Sequence, residues 1–217
     1  MLIPRLDILP SAQRVLWPEL KATPEQFTLY GGTAIALRLG HRSSADFDFF
    51  SQASFDPDRL LATVPYLAGS RVIQREENTL TCRVMRNGPI VVSFFGVPRV
   101  GCIEEPTPVE GPAFQVASLI DLAGTKAAVI QKRAQAKDYL DIDALLGAGI
   151  TLPMALAAAK AIYGKDFQPL ITVKALTYFG DGDLPTLPPE IQRRLTSAAT
   201  AVDLAGLPKF DLLGTSK

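Results

Sequence analysis

At 217 residues the chain is long enough to bury a sizeable core, either as one domain or as a compact lobe with a helical extension, without disulfides or metals to hold it together. An apolar fraction of 47% with 20% charged residues excludes a disordered chain, and 22 basic against 22 acidic residues exclude capture of nucleic acid by bulk charge. A single histidine, His41, excludes multi-histidine zinc sites and is expected in a loop, while two cysteines without metal-knuckle spacing and no signal-like amino terminus predict reduced, buried thiols and a cytoplasmic location. The longest apolar stretch, around Met154 to Ala159, is flanked by Pro153 and Lys160, well short of the roughly 20 residues of a spanning helix, so no membrane association is expected.

In chain order, Pro10 to Leu20 has the proline start and apolar spacing of a short helix. Phe27 to Tyr30 reads as a strand ending at Gly31-Gly32, and Thr33 to Leu39 as a helix. Gly40 to Ser44 breaks that helix, and Ala45 to Phe50 alternates acidic and apolar residues as a second strand. A helix follows near Asp58 to Leu67, then apolar runs at Arg71 to Gln74 and Leu80 to Met85. The Asn87-Gly88 pair predicts a hairpin into Ile90 to Val97. Gly101 to Pro112 has neither helical nor strand periodicity and reads as a connection between lobes. Beyond it, helices are expected at Val116 to Lys132, Lys137 to Leu146, Leu152 to Tyr163, Pro169 to Phe179 and Glu190 to Val202. The predicted fold class is α+β: residues 1–112 form a small mixed sheet with flanking helices, and residues 113–217 a helical C-terminal lobe.

The chemistry concentrates at Gly31-Gly32-Thr33 and, thirteen positions after Thr33, Asp46-Phe47-Asp48. Residues two apart on a strand share a face, so both carboxylates project together while Phe47 points the other way. Hard divalent cations take carboxylate oxygens, and a magnesium site beside triphosphate oxygens is what phosphoryl displacement requires. A glycine turn before a helix lets backbone amides approach phosphate. Each motif alone is weak, since Gly-Gly is commonly a tight turn and Asp-x-Asp a solvated edge; their order of strand, glycine turn, helix and strand is the specific signal. Further along, Lys126 with Arg133 and Asp138 with Asp141 have helical spacing, which suits either a functional face or a solvated helix pair joined by surface salt bridges.

The segments Gly31-Gly32-Thr33-Ala34-Ile35-Ala36-Leu37 and Arg42-Ser43-Ser44-Ala45-Asp46-Phe47-Asp48-Phe49-Phe50 resemble the signature of the AbiEii/AbiGii-type nucleotidyltransferase toxins of type IV toxin-antitoxin systems, within the polymerase-beta-like superfamily. Lys126, Arg133, Lys137-Asp138-Tyr139-Leu140-Asp141-Ile142 and Leu176-Thr177-Tyr178-Phe179 with Asp181 look like that family's later motifs. The resemblance implies a magnesium-dependent transfer of a nucleotidyl group from a nucleoside triphosphate to an RNA (tRNA-like) or protein hydroxyl, and a cognate antitoxin as partner. Asp46 and Asp48 would bind the metal, with Lys126 and Asp138 completing the catalytic set. Gly31, Gly32, Thr33, Arg42, Ser44, Lys126 and Arg133 would contact the nucleotide. Any RNA surface would be assembled from Arg38, Arg42, Lys126, Lys132, Arg133 and Lys137.

The chain departs from the superfamily pattern at Ser93, which stands where a third carboxylate is expected and cannot ionise near neutral pH. Glu76, Glu77, Asp121 and Asp138 are the residues that could replace it. The departure supports an alternative, a catalytically degenerate fold that binds nucleotide or a partner, and leaves room for a metal-stabilised structural domain. Phe49, Phe50, Phe94 and Phe95 are expected in the core.

Overall fold

The computed structural model describes residues 1–97, 101–111 and 114–213. The chain divides into two compact units, one of Met1–Val100 with Pro106–Ala117 and one of Gly101–Glu105 with Ser118–Lys217. The lobe boundary expected between residues 112 and 113 lies outside the described residues.

The first unit is built on a mixed seven-stranded sheet. Its strands are β1 (Thr28–Tyr30), β2 (Phe47–Ser51), β3 (Arg71–Glu76), β4 (Thr79–Met85), β5 (Pro89–Gly96), β6 (Thr107–Pro108) and β7 (Gln115–Val116), in the order β3-β4-β5-β2-β1-β7-β6. β2 runs parallel to β5 and β1 parallel to β7; the other neighbours are antiparallel. Period-two alternation separates the faces of β2, with Phe47 and Phe49 fully buried and Asp48 and Phe50 half-buried on the opposite side. Phe49 stacks on Phe94 at 5.4 Å, Phe27 meets Phe94 edge-on at 5.0 Å, and Trp17 meets Phe114 edge-on at 5.4 Å, so one sheet face is an aromatic core.

Helices α1 (Ser11–Leu16), α2 (Gly31–Leu39) and α3 (Pro57–Thr63) belong to this unit. The helix expected through Leu20 ends at Leu16 and tightens into a 3₁₀ segment, Trp17–Ala22. Pro18 has no N–H to continue the α-helical ladder. α3 is capped by Asp56, whose carboxylate accepts from the backbone of Asp58 and Arg59, with Pro57 in its first turn. The Asn87-Gly88 hairpin forms as expected between β4 and β5, with Asn87 at φ 56°.

Part of the stretch read as a connection is sheet. β6 pairs with β7, and β7 extends the sheet beside β1, a bond continued by the Ala117 amide donating to the Leu29 carbonyl at 3.0 Å. The side chain of Arg38 secures this edge by donating to the carbonyls of Val116 and Ala117 and to the Thr107 hydroxyl.

The second unit is helical: α4 (Leu119–Val129), α5 (Ala136–Gly147), α6 (Leu152–Tyr163), α7 (Pro169–Ala175) and α8 (Pro189–Thr200). Ser118 caps α4, which therefore starts three residues later than expected from Val116. Inside α4, a Cβ on Gly124 would stand 2.9 Å from the Ala159 nitrogen and 3.0 Å from the Ala158 Cβ, so glycine allows α4 and α6 to meet at backbone distance. Cys82 is buried and Cys102 half-buried, and no disulfide joins them; burial pushes the Cys82 thiol pKa up. Among the described residues no single helix is long and apolar enough to cross a membrane.

Candidate active site

Asp46 and Asp48 come to the start of β2 along a loop that leaves α2. Asp46 is exposed and lies one residue before the strand, not within it as expected, and Asp48 is half-buried. The backbone of Gly31, at the start of α2, presses against Asp48: a methyl group at Gly31 would fall 2.6 Å from Asp48 Oδ2. Gly31 also has φ +72°, a conformation in which L side chains are strained. The glycine thus meets two requirements, a left-handed backbone and direct approach to a carboxylate. The side chain of Tyr30, the N-cap residue, makes no cap hydrogen bond to the first turn of α2, and the partial positive charge of that turn lies beside the Asp48 carboxylate.

The loop that delivers Asp46 is fastened by side-chain hydrogen bonds, among them those of the buried Thr33 and Gln13. The Thr33 hydroxyl is 2.8 Å from Ser44 Oγ and also bonds the Asp46 carbonyl. A carbonyl only accepts, so the Thr33 proton goes to Asp46 and Ser44 supplies the other proton. Thr33 and Ser44, expected at the nucleotide, hold the loop together. Ser43 Oγ donates to the Ile8 carbonyl at 2.9 Å, Gln13 Nε2 donates to the Ala45 carbonyl at 2.7 Å, and Arg42 donates to the Ser43 carbonyl at 2.9 Å. Gln13 escaped the sequence reading because its contact spans 32 residues and follows no local pattern.

In the sheet register Asp48 pairs with Ser93 on β5 and with Tyr30 on β1. Ser93 therefore occupies the neighbouring-strand position where a third carboxylate was expected, and it is buried. Glu76, on β3, lies three strands from β2, about 14 Å across the sheet, and Glu77 sits in the turn beyond it. Asp121 belongs to the second unit, where its carboxylate accepts from the amides of Ile103 and Glu104 and from the Ser118 hydroxyl. Among the described residues no three His, Cys, Asp or Glu side chains gather as a metal site. Two carboxylates do suit magnesium, which commonly binds through one or two of them together with waters and substrate phosphates.

The face that carries Asp48 and Ser93 also carries Tyr30, Phe50 and Phe95, with ring centroids 5.2 Å and 5.0 Å apart in that order. Of the four phenylalanines expected in the core, Phe49 and Phe94 are there. Phe50 and Phe95 are half-buried on the site face, because β2 and β5 pair in register and alternate together.

Lys126, Arg133, Asp138 and Asp141 form a network inside the second unit. Lys126 Nζ lies 2.8 Å from Asp138 Oδ1 and 2.8 Å from Asp141 Oδ2. Arg133 grips Asp138 with two bonds, at 2.7 and 3.0 Å. The alternative of a solvated helix pair is overturned by burial: the Lys126 side chain is 6% exposed and both Asp side chains 0%. Burial pushes the Asp138 pKa up, but the Arg133 bonds and the Lys126 charge outweigh it and hold the carboxyl below its ordinary value. Arg133 does not share a helix with Lys126, because α4 ends at Val129; the two meet through Asp138. Of the residues expected to form an RNA surface, Lys126 is buried in this network and Arg38 bonds the β7 edge, while Arg133 keeps 45% of its side chain exposed.

The sequence matches the family described as Nucleotidyl transferase AbiEii toxin, Type IV TA system, over residues 16–212. An uncharacterized protein of Aquifex aeolicus (strain VF5), aq_aa25, is 33% identical over 159 residues, covering 71% of this chain and 74% of that protein. Two solved structures share the fold. JHP933 from Helicobacter pylori has a TM-score of 0.59 and 16% identity, covering 87% of this chain and 89% of its own. MenT4, a nucleotidyltransferase toxin from Mycobacterium tuberculosis H37Rv, has a TM-score of 0.57 and 18% identity, covering 89% of this chain and 83% of its own. With nearly the whole chain matched and the glycine turn set against an Asp-x-Asp strand, the protein belongs to the AbiEii nucleotidyltransferase toxin family of type IV toxin-antitoxin systems.

Proposed function

We propose that this chain transfers a nucleotidyl group from a nucleoside triphosphate to a hydroxyl of an RNA or protein acceptor, with Asp46 and Asp48 as magnesium ligands. The acceptor hydroxyl oxygen forms a bond to the α-phosphorus and releases its proton to solvent, the bond from that phosphorus to the bridging oxygen breaks, and pyrophosphate departs with the bonding electrons. The carrying observation is the approach of the Gly31 backbone, at the start of α2, to the Asp48 carboxylate, with Asp46 exposed two residues earlier. That arrangement supports phosphate binding by the first turn of α2, Gly31 and Gly32 included, next to paired acids. Asp46 and Asp48 would hold the magnesium, which would supply positive charge to offset what builds on the phosphates during transfer. Arg42 is assigned to the phosphates as a neighbour of the acids. Lys126, Arg133 and Asp138, expected at the nucleotide from the family resemblance, pair with one another inside the second unit, and this network holds the lysine in one place. Membership also supports a cognate antitoxin and growth arrest as the cellular outcome.

A second reading is favoured by one observation, the serine paired with Asp48. In it the fold binds nucleotide without turnover, since Ser93 supplies neither charge nor base. Incubating the protein with magnesium, α-labelled nucleoside triphosphates and a cell extract separates the two. The first reading expects label on a macromolecule from the wild type and none from Asp46→Ala/Asp48→Ala. Labelling that survives the double substitution contradicts the site, and saturable binding without pyrophosphate release establishes the second reading.

A further inference from the structure

Gln13 lies on α1, outside the residues 16–212 matched to the family, and is 3% exposed. Its Nε2 donates to the Ala45 carbonyl, while its Oε1 is buried with no hydrogen-bond partner. A buried amide with an unbonded acceptor is less favourable than an apolar side chain of the same shape. Packing therefore does not account for glutamine here. Its bond does something specific: it fixes the peptide plane between Ala45 and Asp46. Thr33, 2% exposed, fixes the next plane by bonding the Asp46 carbonyl.

With the planes on both sides of the Asp46 Cα held, its φ and ψ are set, and so is the direction of its Cα–Cβ bond. Ala45 and Asp46 are themselves exposed, so no packing of their own side chains could do this. We propose that Gln13 is a positioning residue for divalent-metal binding, aiming the Asp46 carboxylate through the Ala45 carbonyl. This rests on the assignment of Asp46 and Asp48 as metal ligands. Supporting groups of this kind typically change metal affinity by about 10- to 100-fold when removed.

The test titrates Mn²⁺ into the full-length wild type, Gln13→Met, Gln13→Leu and Asp46→Ala/Asp48→Ala, with the thermal midpoint of each measured without metal. Methionine and leucine keep the volume and remove both the donor and the unbonded acceptor. The expected result is a wild-type midpoint, or a higher one, in at least one Gln13 variant, together with metal affinity about tenfold weaker. A folded Gln13 variant with wild-type affinity overturns the inference while leaving the metal site standing, provided the double aspartate variant loses binding. Wild-type protein that binds no Mn²⁺, or a double variant that binds it as well as wild type, overturns the metal assignment and this inference with it.

Discussion

Two sets of aspartates can be compared within one chain, Asp46 with Asp48 on the sheet and Asp138 with Asp141 on α5. The second pair is fully buried and its oxygens are spent on Lys126 and Arg133. In the first pair Asp46 is exposed and Asp48 half-buried, and the backbone around Asp46 is fastened by Thr33 and Gln13, which bond the carbonyls of Asp46 and Ala45. Asp46, exposed on a backbone fixed from both sides, suits an external cation. An acid buried against cations is arranged to keep a helical unit in register. The difference is one of placement, since all four are aspartates with the same intrinsic chemistry.

The sharpest way to break the comparison is Asp138→Ala. It leaves Arg133 without its bidentate partner and Lys126 buried with one carboxylate, and removing one member of a buried pair typically costs about 3–5 kcal/mol. Urea unfolding should show a loss of that order. An unchanged midpoint would mean that the network does not hold the second unit together. The pH dependence follows in sign. The Asp138 pKa is lowered in the folded state, so its contribution is present above the unfolded value of about 3.9 and is lost as pH falls through the folded one. Wild-type stability should therefore fall on acidification below about pH 4, and Asp138→Ala should lose part of that dependence.

Next in size is Gly31→Ala. The added methyl meets Asp48 Oδ2 and requires a left-handed backbone that costs an L residue about 1–2 kcal/mol. Displacing a reacting group by about 1 Å can lower rates about 100-fold, so activity should fall further than the stability change alone accounts for. Equal losses in the two measurements would make Gly31 a fold residue only.

The smallest expected effect is that of Ser93→Asp. A carboxylate there faces Asp48 across the β2–β5 pair, and each unit of mutual pKa shift corresponds to about 1.4 kcal/mol. The variant should be about 1–2 kcal/mol less stable without metal and regain that stability with magnesium. If magnesium gives this variant no more stabilisation than it gives the wild type, Ser93 does not adjoin the metal position.

Where a local rule governs, the sequence was readable. Asn87-Gly88 gave the β4–β5 hairpin, and α6 has the bounds Leu152–Tyr163 that Pro153 and Gly164 suggest. Elements fixed by partners far along the chain were not readable. β6 and β7 have two residues each, too few to show a period, and they exist because β1 offers an edge and Arg38 binds their carbonyls. β3 forms where the run Arg71 to Gln74 was read, and extends to Glu76, though it is exposed along its whole length. The Lys126 network was visible as spacing, but its burial was not, since spacing carries no information about depth. Gln13 lies 32 residues from the carbonyl it holds.

The central claim, that the open aspartate pair is the nucleotide and metal site, is tested most directly by calorimetric titration. Each of the four nucleoside triphosphates, with magnesium, is titrated into the wild type and into Asp46→Ala/Asp48→Ala. Saturable binding of at least one nucleotide by the wild type, dependent on magnesium and lost in the double variant, is the predicted result. Equal binding by both proteins would place the nucleotide elsewhere and contradict the account.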